Sequence, residues 1–100
     1  MTFSAIFQGT ASAEHADTLR RSLITLARES RREPRTLRYE FYQHADDPLV
    51  FLLFAVWESE EDWQAHLSRP AHEQHVASRP EGAWAKGPTM TRLAALDENS

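Results

Sequence analysis

Residues 36–57 read TLRYEFYQHADDPLVFLLFAVW and contain two strand-like segments joined by a turn. In the first segment, residues 36–44, Leu37, Tyr39 and Phe41 alternate with polar side chains, as in a β-strand that buries one face. The sequence ADDP that follows is typical of a turn, because aspartate and proline favour turn geometry. The second segment, LVFLLFAVW at 49–57, completes a predicted β-hairpin.

The residues before this hairpin predict a strand and then a helix. Residues 3–10 alternate loosely between apolar and polar side chains, which indicates a first strand. Leucines and alanines at helical spacing predict a helix that Ser12 caps and that runs to about Arg32. Pro34 ends this helix, because a proline biases the residue before it towards extended geometry.

The residues after the hairpin predict two helical pieces and a last strand. Ser59 begins a capping box that opens a helix over about 60–68. Pro70 interrupts this helix and starts another piece that runs to about Arg79. Residues 82–88 contain two glycines and a proline and are predicted to be irregular. Residues 89–96 predict a final strand, and a polar tail follows it.

The predicted order β-α-β-β-α-β indicates an α+β fold: a ferredoxin-like antiparallel sheet with helices on one face. We expect one domain over residues 1–100. One face of such a sheet is exposed to solvent, so its strands normally alternate between apolar and polar side chains. Residues 49–57 are apolar on both faces, and leaving several of these side chains in water would cost several kcal/mol. We therefore predict a homodimer in which two sheets pack together.

Composition narrows the range of functions. The chain has no cysteine, which excludes disulfides, thiolate chemistry and cysteine-based zinc sites. Its net charge is −4, and the arginines near Arg20 and Arg31 are interleaved with acidic residues. We therefore expect a solvated helix surface and no nucleic-acid partner.

The apolar run at 49–57 is shorter than the roughly 20 residues that span a membrane. With no export pattern at the N-terminus, we expect a cytoplasmic protein without a membrane partner.

Aromatic residues and histidines cluster in the stretch WESEEDWQAHLSRPAHEQH at 57–75. A histidine beside indole rings can accept a proton from a phenolic substrate that stacks on those rings. We predict His66 and Trp57 as catalytic residues. The predicted substrate-binding residues are Trp63, Tyr39, Phe41, His72 and His75.

Each of these predictions has a structural alternative. The two tryptophans are more typical of core or interface positions, whereas His66 is equally consistent with a hydrogen-bonded residue at a helix edge. For His72 and His75, solvent-facing or interface positions are more typical than a catalytic role. A metal shared by His66, His72 and His75 is a further alternative, but zinc-binding helices more often space their histidines by four, so we expect no metal site.

Motif residues recur along residues 33–72. They are Glu33, Pro34, Leu37, Tyr39, Asp47, Pro48, Trp57, Glu58, Ser59, Ala65, His66, Leu67, Pro70 and His72. With these residues the segment resembles the antibiotic biosynthesis monooxygenase (ABM) family.

The resemblance implies a dimeric α/β barrel of ferredoxin-like subunits. It also implies a monooxygenase that needs no cofactor, uses molecular oxygen as co-substrate, and oxidises a quinol or a polyketide-like aromatic. An isomerase on the same scaffold and a non-catalytic dimer that binds a small ligand are the alternatives.

The resemblance is weaker to the branch of this family that degrades haem. That branch has a tryptophan where this chain has His66, and an asparagine near the end of the first strand, where Gln8 lies. Haem is therefore not an expected cofactor.

Overall fold

A computed structural model describes residues 2–96 of the chain. The predicted order of elements is confirmed, with the second helical region divided in two. A 3-10 turn, Ala13–His15, precedes the first helix. The predicted tail at 97–100 lies outside the described residues. The elements are β1 Phe3–Ala11, α1 Ala16–Ser30, β2 Thr36–His44, β3 Asp47–Trp57, α2 Glu60–Leu67, α3 Pro70–Ser78 and β4 Trp84–Leu93.

The four strands form one antiparallel sheet in the order β2-β3-β1-β4, which is the ferredoxin-like arrangement. The predicted hairpin pairs β2 with β3, and β1 lies between β3 and β4. Ala5 in β1 is therefore opposite Ala55 on one side and Arg92 on the other. No helix within residues 2–96 has the length and apolar character that crossing a membrane requires.

Strand β3 contributes apolar side chains to both faces of the sheet. Its residues Phe51, Leu53, Ala55 and Trp57 are buried on the inner face, towards the helices. The alternate residues, from Val50 to Val56, point to the outer face and are half-buried in the single chain. The strand is thus apolar on both sides, as its sequence predicts.

Helix α1 buries the predicted apolar stripe, which includes Leu19, Leu23 and Leu26. The helix ends at Ser30, two residues before the predicted boundary, and the next residues form a turn. In this turn the backbone N–H of Glu33 donates to the carbonyl of Ser30 at 3.1 Å. The turn fixes the position of Glu33 between α1 and β2.

Helix α2 begins at the predicted cap. The Ser59 hydroxyl oxygen accepts from the backbone N–H of Asp62 at 3.2 Å and donates to the Asp62 carboxylate at 2.8 Å. The helix ends at Leu67, and Pro70 occupies the first turn of α3, where its missing N–H is not needed. The last turn of α2 carries His66 into the interior.

Three local predictions are wrong. Ser12 precedes the 3-10 turn and its side chain makes no capping hydrogen bond, so it does not cap α1. Strand β4 begins at Trp84, although residues 82–88 were predicted to be irregular. The strand can pair there because Gly9 leaves room for the Trp84 indole: a Cβ at Gly9 would lie 2.8 Å from that ring. Leu37 does not share the buried face of Tyr39, because a register shift early in β2 leaves Leu37 51% exposed.

Candidate functional site

A cavity of about 120 Å³ lies between the inner face of the sheet and the helices. An apolar cavity of roughly 150 Å³ is large enough to hold benzene, so this volume suits one aromatic ring. All the side chains predicted to act on a substrate line this cavity. They are Tyr39, Phe41, Trp57, Trp63, His66, His72 and His75.

His66 is the most constrained of these residues, with 3% of its surface exposed. Its Nδ1 lies 2.9 Å from Oε1 of Glu33, whose side chain is also largely buried. Since a carboxylate can only accept a hydrogen bond, Nδ1 carries the proton and donates. The other ring nitrogen, Nε2, is then unprotonated in the neutral imidazole, and it lies 3.4 Å from the Tyr39 hydroxyl.

Tyr39 stays protonated opposite this nitrogen. Burial raises the pKa of the Tyr39 phenol above its ordinary value, so the hydroxyl remains a donor at neutral pH. Its 3.4 Å contact with Nε2 is longer than a normal hydrogen bond. The basic nitrogen of His66 is therefore only weakly engaged by the protein itself.

The predicted aromatic wall is present, and its members also pack on one another. The Trp63 ring stacks on Phe3 at 4.8 Å, and the Trp57 ring lies 5.4 Å from the His66 ring. Trp57 is 1% exposed, and its indole N–H has no hydrogen-bond partner within residues 2–96. Both tryptophans thus belong to the core as well as to the cavity wall.

His72 and His75 of α3 close the other side of the cavity. The His72 ring is in edge contact with His66 at 5.1 Å, and burial lowers the pKa of His72. His75 is 7% exposed, and its Nδ1 lies 2.6 Å from the Ser22 hydroxyl. Burial, and then the charge of Arg79, lowers the pKa of His75 to about 4. The alternative that His75 faces solvent is therefore wrong.

Sequence reasoning missed Glu33 and Arg79 as members of the site. The sequence identified Glu33 as a family motif position and as the residue before a helix-ending proline, but not as a partner of His66, which is 33 positions away. Arg79 was interpreted as a helix end, although it lines the cavity. Neither the Glu33–His66 hydrogen bond nor the position of Arg79 can be predicted from a periodic pattern in the sequence. Each depends on how α1, α2 and α3 pack on the sheet.

The three histidines do not form a set of metal ligands. Within the described range, no group of three or more histidine, cysteine, aspartate or glutamate side chains is arranged to hold a metal ion. The Nδ1 atoms of His66 and His75 are already engaged by Glu33 and Ser22. Nothing in this arrangement favours the alternative of a shared metal.

A family model described as antibiotic biosynthesis monooxygenase (ABM) matches residues 2–78. The chain therefore belongs to the ABM family, in agreement with the motifs of residues 33–72. No curated protein matches the chain.

Solved structures agree in fold over the whole chain. Rv0793 from Mycobacterium tuberculosis gives a TM-score of 0.88 at 24% identity, and 100% of both chains is covered. PA3566 from Pseudomonas aeruginosa gives 0.88 at 23% identity, covering 96% of this chain and 95% of that chain. A proposed antibiotic biosynthesis monooxygenase from Deinococcus radiodurans gives 0.81 at 26% identity, covering 100% and 97%. These likenesses support a shared architecture at low sequence identity.

The position of His75 predicts a dependence of stability on pH. The pKa of this residue is lowered from 6.5 to about 4, so in that window the unfolded chain binds a proton that the folded chain does not. The free energy of unfolding should therefore decrease as the pH falls through the window. The full shift corresponds to about 3 kcal/mol, and partial solvent screening reduces the expected loss to about 1–2 kcal/mol.

Urea denaturation of the native chain and of His75→Gln at both ends of the window measures this effect. The variant should lose the larger part of the dependence. Gln74→Ala, which alters the same helix without removing a titratable group, should retain it. Equal dependence in the native chain and in His75→Gln would contradict the prediction.

Proposed function

We propose that this chain is a cofactor-independent monooxygenase that oxidises a small electron-rich aromatic, such as a quinol or a polyketide-like phenol, with molecular oxygen as co-substrate. The observation that carries the proposal is the buried His66, whose Nδ1 is held by Glu33 while Nε2 remains available at a cavity of one ring's size. Membership of the ABM family supports the class of reaction.

Proton removal is the first step. A substrate hydroxyl that approaches Nε2 of His66 competes only with the long Tyr39 contact, and it can transfer its proton to the imidazole. The imidazolium that forms then donates to the Glu33 carboxylate as one half of a buried ion pair. This pair stabilises the charge that proton transfer creates.

Electron transfer to oxygen follows from the chemistry of the substrate anion. The anion passes one electron to O2, and the two radicals combine to form a carbon–oxygen bond and a hydroperoxide. Loss of the ring C–H proton together with cleavage of the O–O bond releases water. For a hydroquinone, one O2 gives one hydroxyquinone and one water, and the four electrons that O2 gains come from the substrate.

The apolar lining supports this sequence of steps. Phe41, Trp57 and Leu53 surround the cavity with carbon surface, which keeps water away from the charged intermediates. Aromatic rings also provide flat surfaces against which a planar substrate can stack. The protein thereby contributes a dry site and a base, and the substrate contributes the reducing power.

Oxygen uptake with a panel of hydroquinones tests the proposal. His66→Ala should lower kcat/KM by about 100-fold or more, because a positioned general base contributes roughly that much. Glu33→Gln should lower it less, since the base remains but loses the carboxylate that stabilises its charged form. Trp57→Phe keeps an aromatic wall, removes an N–H without a described partner, and should affect KM more than kcat.

His44→Ala is the matched control, because His44 is the exposed last residue of β2, beside the hairpin turn. This variant should retain native uptake. Uptake that is unchanged in His66→Ala would remove the assignment of the base. Native protein that consumes no oxygen, but interconverts or simply binds phenolic ligands, would favour the isomerase or the binding protein.

We also propose that the functional unit is a homodimer that covers the outer face of the sheet and forms a dimeric α/β barrel. Val50, Leu52, Phe54 and Val56 form an apolar ridge along the outer side of β3, and Ile6 of β1 continues it. Burying such a ridge contributes about 25 cal/mol for each Å² removed from water. A second copy presents the same ridge, so a two-fold contact is self-complementary.

Size-exclusion chromatography with light scattering at micromolar concentration measures this association. The native chain should elute as a dimer, and Leu52→Glu should shift it to a monomer, because the charge would enter the buried contact. Ile24→Glu makes the same kind of change on the exposed side of α1 and should leave the dimer intact. A native chain that remains monomeric, or a Leu52→Glu variant that remains dimeric, would contradict this interface.

A further inference from the structure

One side of the cavity carries a positive charge without a compensating acid. Arg79 is half-buried and lines the cavity, and no aspartate or glutamate of residues 2–96 is among the lining residues. Its guanidinium makes no ion pair or hydrogen bond to any atom in that range, whereas Arg20, Arg35, Arg38 and Arg92 each pair with a carboxylate. A partly desolvated charge of this kind is stabilised by an anion that binds beside it.

The histidines of α3 line the cavity together with Arg79, and neither adds a negative charge there. The Ser22 hydroxyl lies 2.6 Å from Nδ1 of His75 and links that ring to α1. Burial lowers the pKa of both His72 and His75, and the positive charge of Arg79 adds to this effect.

The acidic residue of the site, Glu33, is paired with His66 and not with Arg79. Glu33 is engaged with Nδ1 of His66, and the base Nε2 lies on the opposite edge of that ring. The cavity thus has an accepting nitrogen at His66 and a positively charged donor at Arg79. A flat ligand that engages both sides must carry a hydroxyl that faces His66 and a negatively charged oxygen group that faces Arg79.

We infer that the substrate is a single-ring hydroxylated aromatic acid, whose hydroxyl faces His66 and whose carboxylate binds Arg79. The orientation of the hydroxyl rests on the proposed function, whereas the carboxylate site rests on the charges of the cavity wall. Arg79 is then a specificity-determining residue: it favours an acid over a neutral analogue of the same shape. One charge-assisted hydrogen bond corresponds to roughly a tenfold difference in affinity.

Isothermal titration with gentisate and with its neutral amide, gentisamide, measures this preference without requiring turnover. The native chain should bind gentisate about tenfold more tightly than gentisamide, the ratio expected for one charged contact. Arg79→Gln should bind the two ligands equally, with its affinity for the amide unchanged. Arg28→Gln, which removes an exposed arginine from α1, should keep the native preference.

Equal affinities in the native chain, undetectable binding of gentisate, or a preference that persists in Arg79→Gln would each overturn the inference. The outcome is separable from that of the oxygenase proposal. A preference for the acid without oxygen uptake on any hydroquinone would overturn the oxygenase and leave the Arg79 site standing. Uptake with neutral hydroquinones and no preference for the acid would do the reverse.

Discussion

The hydrogen bond between the Glu33 carboxylate and Nδ1 of His66 is the contact on which the site depends. It joins the turn after α1 to the last turn of α2, and both side chains lie in the interior. Leaving either group buried without its partner would cost about 1–3 kcal/mol. Helix α2 has only eight residues, too few to be stable alone, so its position depends on such tertiary contacts. The same bond determines which nitrogen of His66 can act as a base.

Strand β3 allows one small sheet to serve two purposes. Successive side chains of a strand point to opposite faces. Phe51, Leu53 and Trp57 therefore line the cavity, while the residues that alternate with them form an outer ridge. The inner set is covered by the chain's own helices. The outer set is half-buried in one chain, and a second copy would complete its burial. Substitutions one residue apart can therefore alter the lining of the cavity or the outer ridge separately.

Periodic features of this structure follow from the sequence, and non-periodic ones do not. The hairpin, the stripe of α1 and the cap at Ser59 depend on local patterns, and each is present. Residues such as Tyr39, Phe41 and Trp57 could be assigned to the cavity because strand alternation places them on the buried face. The element order followed from the same local patterns, and the ABM motifs agreed with it.

The missed features depend on contacts between distant segments. The start of β4 depends on the space that Gly9 leaves for the Trp84 ring. The sequence did not indicate this strand start, because the dipeptide Gly87-Pro88 is typical of a turn. Glu33 reaches His66 only after α1 and α2 have packed on the same face. Charge placement behaves in the same way: the position of Arg79 at the cavity depends on the packing of α3.

The tautomer of His66 tests the central claim most directly. NMR of nitrogen-labelled protein distinguishes a ring proton on Nδ1 from one on Nε2. In the native chain, with the imidazole neutral, the proton should be on Nδ1, where Glu33 accepts it, and Nε2 should be bare. A proton found on Nε2, with Nδ1 unprotonated, would contradict the account, because the nitrogen assigned as the base would already be occupied.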